Sequence, residues 1–423
     1  MNSIFIKNVT VEGRPSDIDI RDGRFFRIGP TGSLPIPEGV EILDAGGQVA
    51  FPGFINMHTH SSMSLMRGIA EDVRDLHEWL DNIWTLESKI DEDFIYWGTK
   101  VACLEMIKTG TTTFNDQYWI PDEACRAARE MGVRPVLSYV ILDHGDPSAI
   151  SRQREECESQ YERSLRWEGD AQFTVAPHAI YTVSESNLIW AAEFARKHGL
   201  KIHIHVSETQ KEVADCQELH GGLSPVEYLD RLGVLGPDVI AAHTLWLSDK
   251  DVEILGQRGV SCVHNINSNT KLASGYKFRY QELRDAGANV CLGTDGCASS
   301  NNLDMLEAMK TSAIIQKAWR SDPTALPLNE LIDTTTVNGA KALGIDAGRI
   351  AEGCLADFFL VDTDNTFFLS PAPFAANFIY SAHSDCIRTV IRGGRILMRN
   401  GQVEGEKAIL HSAQDMLKKL INP

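Results

Sequence analysis

Short and nearly continuous runs of apolar residues recur along the middle of the chain. Eight of them can be distinguished, at residues 51–57, 111–114, 134–140, 172–176, 201–205, 239–242, 260–263 and 289–292. A strand with one solvated face alternates between apolar and polar positions, whereas continuous apolar strands are typical of a parallel sheet that is covered on both faces. The central part of the chain is therefore predicted to form eight parallel strands.

Segments with the spacing of amphipathic helices lie between these runs. The most regular are residues 94–107, 185–197, 249–257 and 303–317, and a further one at 328–343 follows the last run. Eight strands that alternate with helices over roughly 290 residues have the number and size of a (β/α)8 TIM barrel. An open doubly wound sheet is the alternative, but no Gly-x-Gly-x-x-Gly motif follows an early strand.

The two ends of the chain have a different pattern, with short strands separated by glycine and proline. Strands are predicted at residues 4–6, 18–20, 25–28, 40–43, 357–361, 387–392 and 395–398, and a helix at 408–421. We expect the terminal strands to pair with one another. The predicted organisation is a small β-sandwich domain from residues 1–52 and 353–423 beside a barrel domain at 53–352.

Composition and charge narrow the possible classes of function. Apolar residues make up 43% of the 423 residues, which is sufficient for a large core. A net charge of −18 argues against a nucleic acid or an anionic membrane as the main partner. Nine cysteines without a Cys-x-x-Cys motif fit reduced thiols better than a disulfide framework. We expect a cytoplasmic enzyme with a small-molecule substrate.

The first chemical signal stands at the end of the first run. Pro52 and Gly53 lead into a strand that ends with His58 and His60. Side chains two residues apart on a strand point to the same face, roughly 7 Å apart, so these two imidazoles can bind one metal ion. A single His-x-His also occurs as packing or surface histidines, and the interpretation therefore depends on the other strands.

Polar residues follow or end seven of the eight predicted strands. Besides His58 and His60, they are Asn115, Asp116, His178, His203, His205, His243, His264, Asn265 and Asp295. Functional groups of TIM barrels collect at the carboxyl ends of the strands. If each group were structural, it would need its own buried hydrogen-bond partner, whereas a metal ion and its substrate supply those partners together. The pattern favours a metal-dependent enzyme.

Other motifs of metal sites and hydrolases do not fit. The run His77-Glu78-x-x-Asp81 lacks the second histidine of a zincin helix. The chain contains neither the Pro-Cys-x-x-Cys of cysteine-ligated zinc deaminases nor a Gly-x-Ser-x-Gly elbow.

The connection at residues 61–88 is unusually long for a barrel. It carries two arginines and two tryptophans, which are Arg67, Arg74, Trp79 and Trp84. Long structured loops are often lids over active sites. We expect this segment to cover the site.

These motifs resemble the amidohydrolase superfamily along essentially the whole chain. Within it they are most similar to the branch of S-adenosylhomocysteine/5′-methylthioadenosine deaminases and the related chlorohydrolases. The matching segments are Pro52-Gly53-Phe54-Ile55-Asn56-Met57-His58-Thr59-His60, Thr109-Gly110-Thr111-Thr112-Thr113, Ala176-Pro177-His178, His203-Ile204-His205-Val206-Ser207-Glu208-Thr209, Ala242-His243, Gly293-Thr294-Asp295-Gly296 and Gly353-Cys354-Leu355-Ala356-Asp357. Members of the superfamily often assemble, so the resemblance also admits a homo-oligomer.

The resemblance implies a mononuclear metal site. His58, His60, His205 and Asp295 would bind one divalent metal ion, with Zn²⁺ expected and Fe²⁺ as the alternative. Binuclear relatives carry a bridging lysine carbamate on the fourth strand, and residues 172–178 contain no lysine. A divalent metal can lower the pKa of a bound water from 15.7 to about 7, which makes hydroxide available at neutral pH.

The same resemblance assigns the proton transfers of a hydrolytic deamination. Glu208 would deliver a proton to ring nitrogen N1 of an adenine, while His243 and Asp295 would pass the proton of the water to the departing ammonia. The expected substrate is an amino-purine nucleoside of the adenosine, 5′-methylthioadenosine or S-adenosylhomocysteine type. The alternative is another amino- or chloro-substituted heterocycle, such as a pterin, a guanine-like ring or a triazine. Release of ammonia or of chloride separates these two classes of substrate.

By the resemblance, Glu87 would accept hydrogen bonds from ribose hydroxyls, and His178 would contact the purine. Trp84 and Glu208 are expected in the same substrate site. The alternative for Glu87 is a solvated carboxylate near a helix start. A catalytically inactive binding scaffold is a further alternative, but it would be expected to lack some of the metal-binding or proton-transfer residues.

One position departs from the pattern of the branch. Tyr139 stands where the deaminases usually have an arginine that is associated with the amino-acid tail of S-adenosylhomocysteine. Arg152 and Arg154 are the candidates to replace it. The departure brings a tail-less adenosine derivative, or a different amino-heterocycle, into consideration as the substrate.

Overall fold

The structure, a computed structural model, describes residues 3–69, 71 and 76–421. Its strands in chain order are β1 (Ile4–Val11), β2 (Arg14–Arg21), β3 (Arg24–Pro30), β4 (Glu41–Asp44), β5 (Gln48–Pro52), β6 (Phe54–Thr59), β7 (Thr111–Asp116), β8 (Arg134–Ile141), β9 (Gln172–Pro177), β10 (Lys201–Val206), β11 (Val239–His243), β12 (Ser261–His264), β13 (Asn289–Leu292), β14 (Phe358–Asp362), β15 (Ile387–Arg392) and β16 (Arg395–Met398).

Helices follow most of the barrel strands. They are α1 (Leu76–Glu87), α2 (Glu92–Lys108), α3 (Pro121–Met131), α4 (Pro147–Ser164), α5 (Glu185–His198), α6 (Gln210–Leu219), α7 (Pro225–Arg231), α8 (Asp249–Arg258), α9 (Ile266–Lys271), α10 (Tyr280–Asp285), α11 (Cys297–Ser300), α12 (Met305–Arg320), α13 (Leu328–Thr335), α14 (Val337–Leu343), α15 (Phe374–Tyr380) and α16 (Glu406–Ile421). None of the described helices is long and apolar enough to cross a lipid bilayer.

Strands β6 to β13 form one parallel sheet in which each strand pairs with the next along the chain. The two ends of this order meet beside the predicted site, where the Asp295 N–H donates to the His58 carbonyl at 2.9 Å. At the same seam the side-chain NH2 of Asn56 donates to the Thr294 hydroxyl, and its carbonyl accepts the Thr294 N–H. The predicted (β/α)8 barrel is confirmed.

The predicted strand at residues 51–57 is wrong in one respect. The structure divides it at Gly53, so that Phe51 and Pro52 belong to β5 of the other sheet and β6 of the barrel begins at Phe54. A side chain at Gly53 has no room, because a Cβ there would lie 2.3 Å from the hydroxyl oxygen of Thr112 on β7. Glycine therefore allows the chain to cross between two sheets against a neighbouring strand.

The predicted helix at residues 328–343 is also interrupted. The structure has two helices, α13 and α14, that meet at Thr336, whose backbone angles of φ −134° and ψ −93° are not helical. The Thr336 hydroxyl donates to the carbonyl of Ile332 at 2.7 Å. Threonine side chains that bond to the preceding turn compete with the backbone ladder, which accounts for the break.

The second sheet joins the two ends of the chain, as the sequence predicts. Its order is β16-β15-β14-β5-β1-β2-β3, with β4 paired to β1, and the antiparallel pair β5–β14 connects the amino-terminal strands with the carboxyl-terminal ones. Phe51 of this sheet and Phe54 of the barrel both pack on Phe359. The ring centroid of Phe359 lies 5.4 Å from that of Phe51 and 5.0 Å from that of Phe54. The buried pair of Arg134 and Asp357 also connects the barrel to this sheet.

Candidate active site

The residues predicted from the strand ends converge at the carboxyl end of the barrel. The nitrogen and oxygen atoms of His58, His60 and Asp295 that could bind a metal ion lie within 4.8 Å of one another. The corresponding atoms of His58, His205 and His243 do so as well. The structure thus brings together all four predicted metal ligands, and it adds His243 to the group.

Hydrogen bonds to backbone carbonyls orient two of these imidazoles. His60 donates from Nδ1 to the carbonyl of Gln117 at 2.7 Å, and His205 donates from Nδ1 to the carbonyl of His178 at 2.9 Å. Because Nδ1 carries the proton in each case, Nε2 keeps its lone pair and is available as a metal ligand. Such bonds fix both the tautomer and the ring orientation of metal-binding histidines.

His58 is oriented by a second histidine. Its Nδ1 lies 2.9 Å from Nε2 of His203, and both rings are buried. The sequence places His203 and His205 on the same strand, but the structure separates their roles. His205 faces the cluster directly, whereas His203 stands behind His58.

The carboxylate of Asp295 lies opposite the two histidines of β6. Its Oδ1 is 3.4 Å from Nε2 of His58 and 3.3 Å from Nε2 of His60. Burial acts to raise the pKa of Asp295, but the two imidazoles outweigh it and hold this pKa well below its ordinary value. Burial likewise acts to lower the pKa of His60, and the contact with Asp295 reverses the effect and raises it to about 8.

This donor set fits a divalent metal ion. His58 Nε2 is buried without a hydrogen-bond partner among the described residues, an arrangement that costs free energy unless a ligand satisfies the atom. Imidazole nitrogens with a carboxylate oxygen are ligands that Zn²⁺ accepts in four-coordinate sites. The assignment of His58, His60, His205 and Asp295 as metal ligands stays a prediction, which this arrangement supports.

The three predicted catalytic side chains lie on one side of the cluster. His243 Nε2 is 3.5 Å from Oε2 of Glu208 and 3.9 Å from Oδ2 of Asp295. The other ring nitrogen of His243, Nδ1, lies 2.9 Å from the side-chain amide nitrogen of Asn269. Burial raises the pKa of Glu208 well above its ordinary value, and the neighbouring charge of Asp295 adds to the shift. This shift favours the protonated form of Glu208, which is the form that can donate a proton.

Four residues at this edge of the barrel have strained backbone conformations. Ser207, His243, Thr244 and Asp295 have φ angles of 53°, 71°, 43° and 65°, in the left-handed region that non-glycine residues rarely adopt. Each stands at or just after the end of a barrel strand. Such conformations persist only where the surrounding structure holds them, and they are common at active sites.

A cavity opens beside the cluster. It is lined by His60, His178, His205, Glu208, His243 and Asp295 from the barrel and by an apolar wall that includes Leu76, Trp79, Leu80, Ile83 and Trp84 of α1. A concave site with an apolar wall and a few convergent polar groups is typical of small-molecule binding. The predicted substrate residues His178, Trp84 and Glu208 therefore face the same cavity as the cluster.

Glu87, the fourth predicted substrate residue, also lines this cavity. It is half-buried and not a solvated surface carboxylate, and burial raises its pKa to about 7. The hydroxyl of Tyr118 donates to Oε1 of Glu87 at 2.6 Å. Tyr118 was missed in the sequence, since nothing in the local pattern connects two residues that are 31 positions apart.

The expected lid lies over the cavity where it is described. Residues 61–66 form a short 3-10 helix, and α1 provides the apolar wall. Arg67 is held by the carbonyl of Asn301 and by the carboxylate of Glu105, and it is not part of the cavity lining. Arg74 lies outside the described residues.

The interpretation of Tyr139 changes with the structure. Its hydroxyl contacts Glu156 and Gln153 on α4, whereas its neighbour Val140 lines the cavity. Adjacent residues of a strand point to opposite faces, so Tyr139 faces away from the site. A substitution here therefore does not by itself alter the cavity wall.

The two candidate replacements do not line the cavity either. Arg154 donates to Asn187 and to the carbonyl of Ser186 on α5, and Arg152 is exposed. Among the described residues, neither lysine nor arginine lines the cavity. The described wall thus offers no permanent cation to a carboxylate group of a substrate.

Two other polar residues at strand ends have structural contacts. His264 stacks on Phe278, with ring centroids 4.2 Å apart, and does not line the cavity. Asp116 accepts hydrogen bonds from the backbone N–H and the hydroxyl of Ser61. Position at a strand end therefore identified most of the cluster but did not separate its members from buried structural residues.

Comparisons with known proteins agree with this geometry. Residues 49–397 match the amidohydrolase family. The chain belongs to this family. A protein named 5′-deoxyadenosine deaminase from Methanoregula boonei is 44% identical over 383 residues, which are 90% of this chain and 86% of that protein.

Two further proteins are similar to this chain over most of their length. A protein named 5-methylthioadenosine/S-adenosylhomocysteine deaminase 1 from Archaeoglobus fulgidus is 42% identical over 383 residues, which are 90% of each chain. The crystal structure of an adenosine deaminase from Xanthomonas campestris with bound zinc matches with a TM-score of 0.90 and 30% identity, and the match covers 100% of this chain and 98% of that one.

Proposed function

We propose that this amidohydrolase is a zinc-dependent deaminase of amino-purine nucleosides. The observation that carries the proposal is the position of a buried carboxyl group, Glu208, beside His243 and the metal-binding cluster, all facing one cavity. The names of the similar proteins support the same reaction and the same metal. The nine free cysteines fit a reducing compartment, so we place the enzyme in the cytoplasm.

His58, His60, His205 and Asp295 would hold the zinc ion. A bound zinc ion supplies a water molecule whose pKa is lowered to about 7. The imidazoles contribute by presenting Nε2 in fixed orientations, because their Nδ1 atoms are already hydrogen-bonded. Their orientation therefore does not have to be established when the substrate binds.

The protein's acids and bases move the protons of the reaction. Glu208 donates a proton to N1 of the purine, which makes C6 electron-poor while the water oxygen bonds to it. Asp295 and His243 take a proton from that water and pass it to the 6-amino group. The C6–N bond then breaks and ammonia leaves, while the second proton of the water passes to Glu208 and restores the acid. The nucleoside and one water thus give the 6-oxo nucleoside and ammonia.

The cavity supports a nucleoside whose 5′ substituent is uncharged. The wall from α1 is apolar, and the described lining contains no lysine or arginine to pair with the carboxylate of an amino-acid tail. Desolvating a carboxylate without such a partner is costly. We therefore expect 5′-deoxyadenosine and 5′-methylthioadenosine to be better substrates than S-adenosylhomocysteine.

The test is ammonia release by the zinc-loaded protein from adenosine, 5′-deoxyadenosine, 5′-methylthioadenosine, S-adenosylhomocysteine, a pterin and guanine. The expected result is turnover of the uncharged adenosines, with kcat/KM about 10- to 100-fold above that for S-adenosylhomocysteine, the range for one missing charged hydrogen bond. Equal turnover of all four nucleosides would contradict the argument on the tail. Turnover of the pterin or guanine alone would contradict the nucleoside assignment.

Glu208→Gln is the matched variant for the reaction itself. The amide has nearly the same shape but no acidic proton, so kcat should fall by about 10²- to 10⁴-fold, the usual contribution of a general acid. Zinc content should stay at one ion per chain, because Glu208 is not among the proposed ligands. An unchanged kcat would remove Glu208 from the proposed reaction.

A further inference from the structure

Glu212 makes an unusual pair of hydrogen bonds near the proposed acid. It stands in the first turn of α6 and is 6% exposed. Its Oε1 accepts the backbone N–H of Ser207 at 2.8 Å, and its Oε2 accepts the backbone N–H of Glu208 at 2.7 Å. One carboxylate thus holds two consecutive peptide groups, and the second of them belongs to the proposed general acid.

This arrangement differs from ordinary helix capping elsewhere in the chain. In α7 the carboxylate of Glu227 accepts the N–H of Ser224, which is the capping residue itself. In α6 the capping residue is Thr209, whose hydroxyl accepts the N–H of Glu212. The carboxylate of Glu212 reaches beyond Thr209 to the two residues before it. The two hydrogen bonds that Glu212 accepts are therefore not those of a capping box, in which the carboxylate bonds to the N–H of the capping residue.

The peptide held in this way is strained. Ser207 has a φ angle of 53°, and its hydroxyl has no hydrogen-bond partner among the described residues. Its carbonyl accepts the N–H groups of Leu245 and Trp246 at 3.1 and 2.9 Å. The carbonyl bonds and the bonds from Glu212 fix Ser207 from both sides. The bend at Ser207 ends β10 and brings Glu208 to 3.5 Å from His243.

We propose that Glu212 is a positioning residue, which holds the strained bend at Ser207 and thereby places the carboxyl group of Glu208 for proton transfer. The proposal rests on the proposed function for the role of Glu208 as the acid. The backbone hydrogen bonds of Glu212 can be tested without that role. Glu212 itself does not line the cavity and acts only through the backbone of Glu208.

The first experiment measures amide hydrogen exchange at Ser207 and Glu208 in the zinc-loaded protein without substrate. In Glu212→Gln, the side-chain NH2 replaces one acceptor oxygen and faces a backbone N–H donor, so one of the two hydrogen bonds is lost. Local opening should then make the amide hydrogens of the segment that contains Ser207 and Glu208 exchange about tenfold faster. Glu227→Gln, the same change in an ordinary capping box, should leave this segment unchanged. Equal exchange in the wild type and in Glu212→Gln would overturn the proposal.

The second experiment separates positioning from general stability. Glu212→Gln should lower kcat by about 100-fold, the scale for a misplaced catalytic group, with KM within about threefold and one zinc per chain. Glu227→Gln should keep its kcat even if its melting temperature falls. Loss of stability in both variants with kcat unchanged would show a structural role only and would overturn the proposal.

A rescue variant keeps the test decisive if Glu212→Gln folds poorly. Glycine adopts positive φ without strain, so Ser207→Gly should need less support from Glu212. Glu212→Gln should therefore lower kcat less in the Ser207→Gly background than in the wild type. The two fold-losses should differ by a factor of at least about ten. An equal loss in both backgrounds would overturn the proposal. If the wild type deaminates none of the nucleosides, the proposed function fails, while the exchange experiment still decides whether Glu212 holds the bend.

Discussion

Tyr118 donates a hydrogen bond of 2.6 Å to Oε1 of Glu87 inside the cavity, and it thereby fixes one oxygen of this carboxylate. Neither residue belongs to the metal-binding cluster. The pair is therefore suited to reading the part of a nucleoside that does not react, as the expectation of ribose binding by Glu87 requires.

Tyr118→Phe removes this hydrogen bond and keeps the ring. We expect KM for 5′-deoxyadenosine to rise by about 2- to 10-fold, the range for one hydrogen bond, and kcat to stay within about twofold. Initial-rate kinetics with a 2′,3′-dideoxy analogue provides the control. If Tyr118 only orients Glu87 toward ribose hydroxyls, the substitution has no effect on that analogue, and an equal loss on both substrates contradicts this role.

The pH dependence of KM should report Glu87. Burial raises its pKa to about 7, so the carboxylate is mostly protonated at pH 6 and mostly ionised at pH 8. Ribose hydroxyls donate to the ionised form more strongly, so KM should fall by about tenfold from pH 6 to pH 8, in proportion to the ionised fraction. Glu87→Gln cannot ionise, and its KM should be flat over this range. A KM that rises with pH in the wild type would contradict the assignment.

His203→Phe tests the histidine behind His58. The substitution removes the ring nitrogen that shares a hydrogen bond with His58 Nδ1 and keeps an aromatic ring of similar size. Zinc affinity should fall by about 10- to 100-fold, as is typical when the partner of a metal ligand is lost. Competition with a fluorescent chelator measures this affinity without any substrate.

His264→Phe is the matched control for that experiment, because His264 is also a buried histidine at the end of a barrel strand but lies outside the cavity. It should leave zinc affinity unchanged. Equal losses in the two variants would mean that both act through general packing.

The buried pair of Arg134 and Asp357 should contribute to stability and not to catalysis. Both side chains are 2% exposed, and Asp357 stands just before β14 of the second sheet. Asp357→Asn leaves a buried guanidinium with one fewer carboxylate, which should lower the free energy of unfolding by about 3 kcal/mol. The exposed pair of Lys211 and Asp215 provides the control, since Asp215→Asn should change the free energy of unfolding by less than about 1 kcal/mol. Urea denaturation measures both, and a lower kcat in the folded Asp357→Asn protein would contradict a purely structural role.

The barrel was predictable because burial on both faces makes its strands continuous in apolar residues. The same property hid the break at Gly53, since an apolar run does not change where it passes from one buried sheet to another. The two-residue period of a strand likewise limits the side chain of Tyr139 to the face opposite that of Val140. Once Val140 faces the cavity, Tyr139 must face the helices, but the sequence alone does not say which of the two faces inward.

The site was predictable where chemistry and strand ends coincide, as in His58, His60 and Asp295. It was not predictable where a side chain acts on a distant backbone or partner. Tyr118 and His203 are examples, because their contacts with Glu87 and His58 join segments that only the closed barrel brings together. The role of such residues follows from tertiary geometry, and the spacing of residues in the sequence does not indicate it.

The single-residue crossing at Gly53 has a consequence for attempts to simplify this enzyme. Only five positions separate it from His58, so any shift of the terminal sheet is transmitted along a rigid strand to the metal-binding cluster. Adding or deleting one residue near the crossing would turn His58 and His60 toward the opposite face of β6. The terminal sheet therefore sets the registration of the catalytic strand, and a minimal barrel without it would have to find another anchor for Phe54.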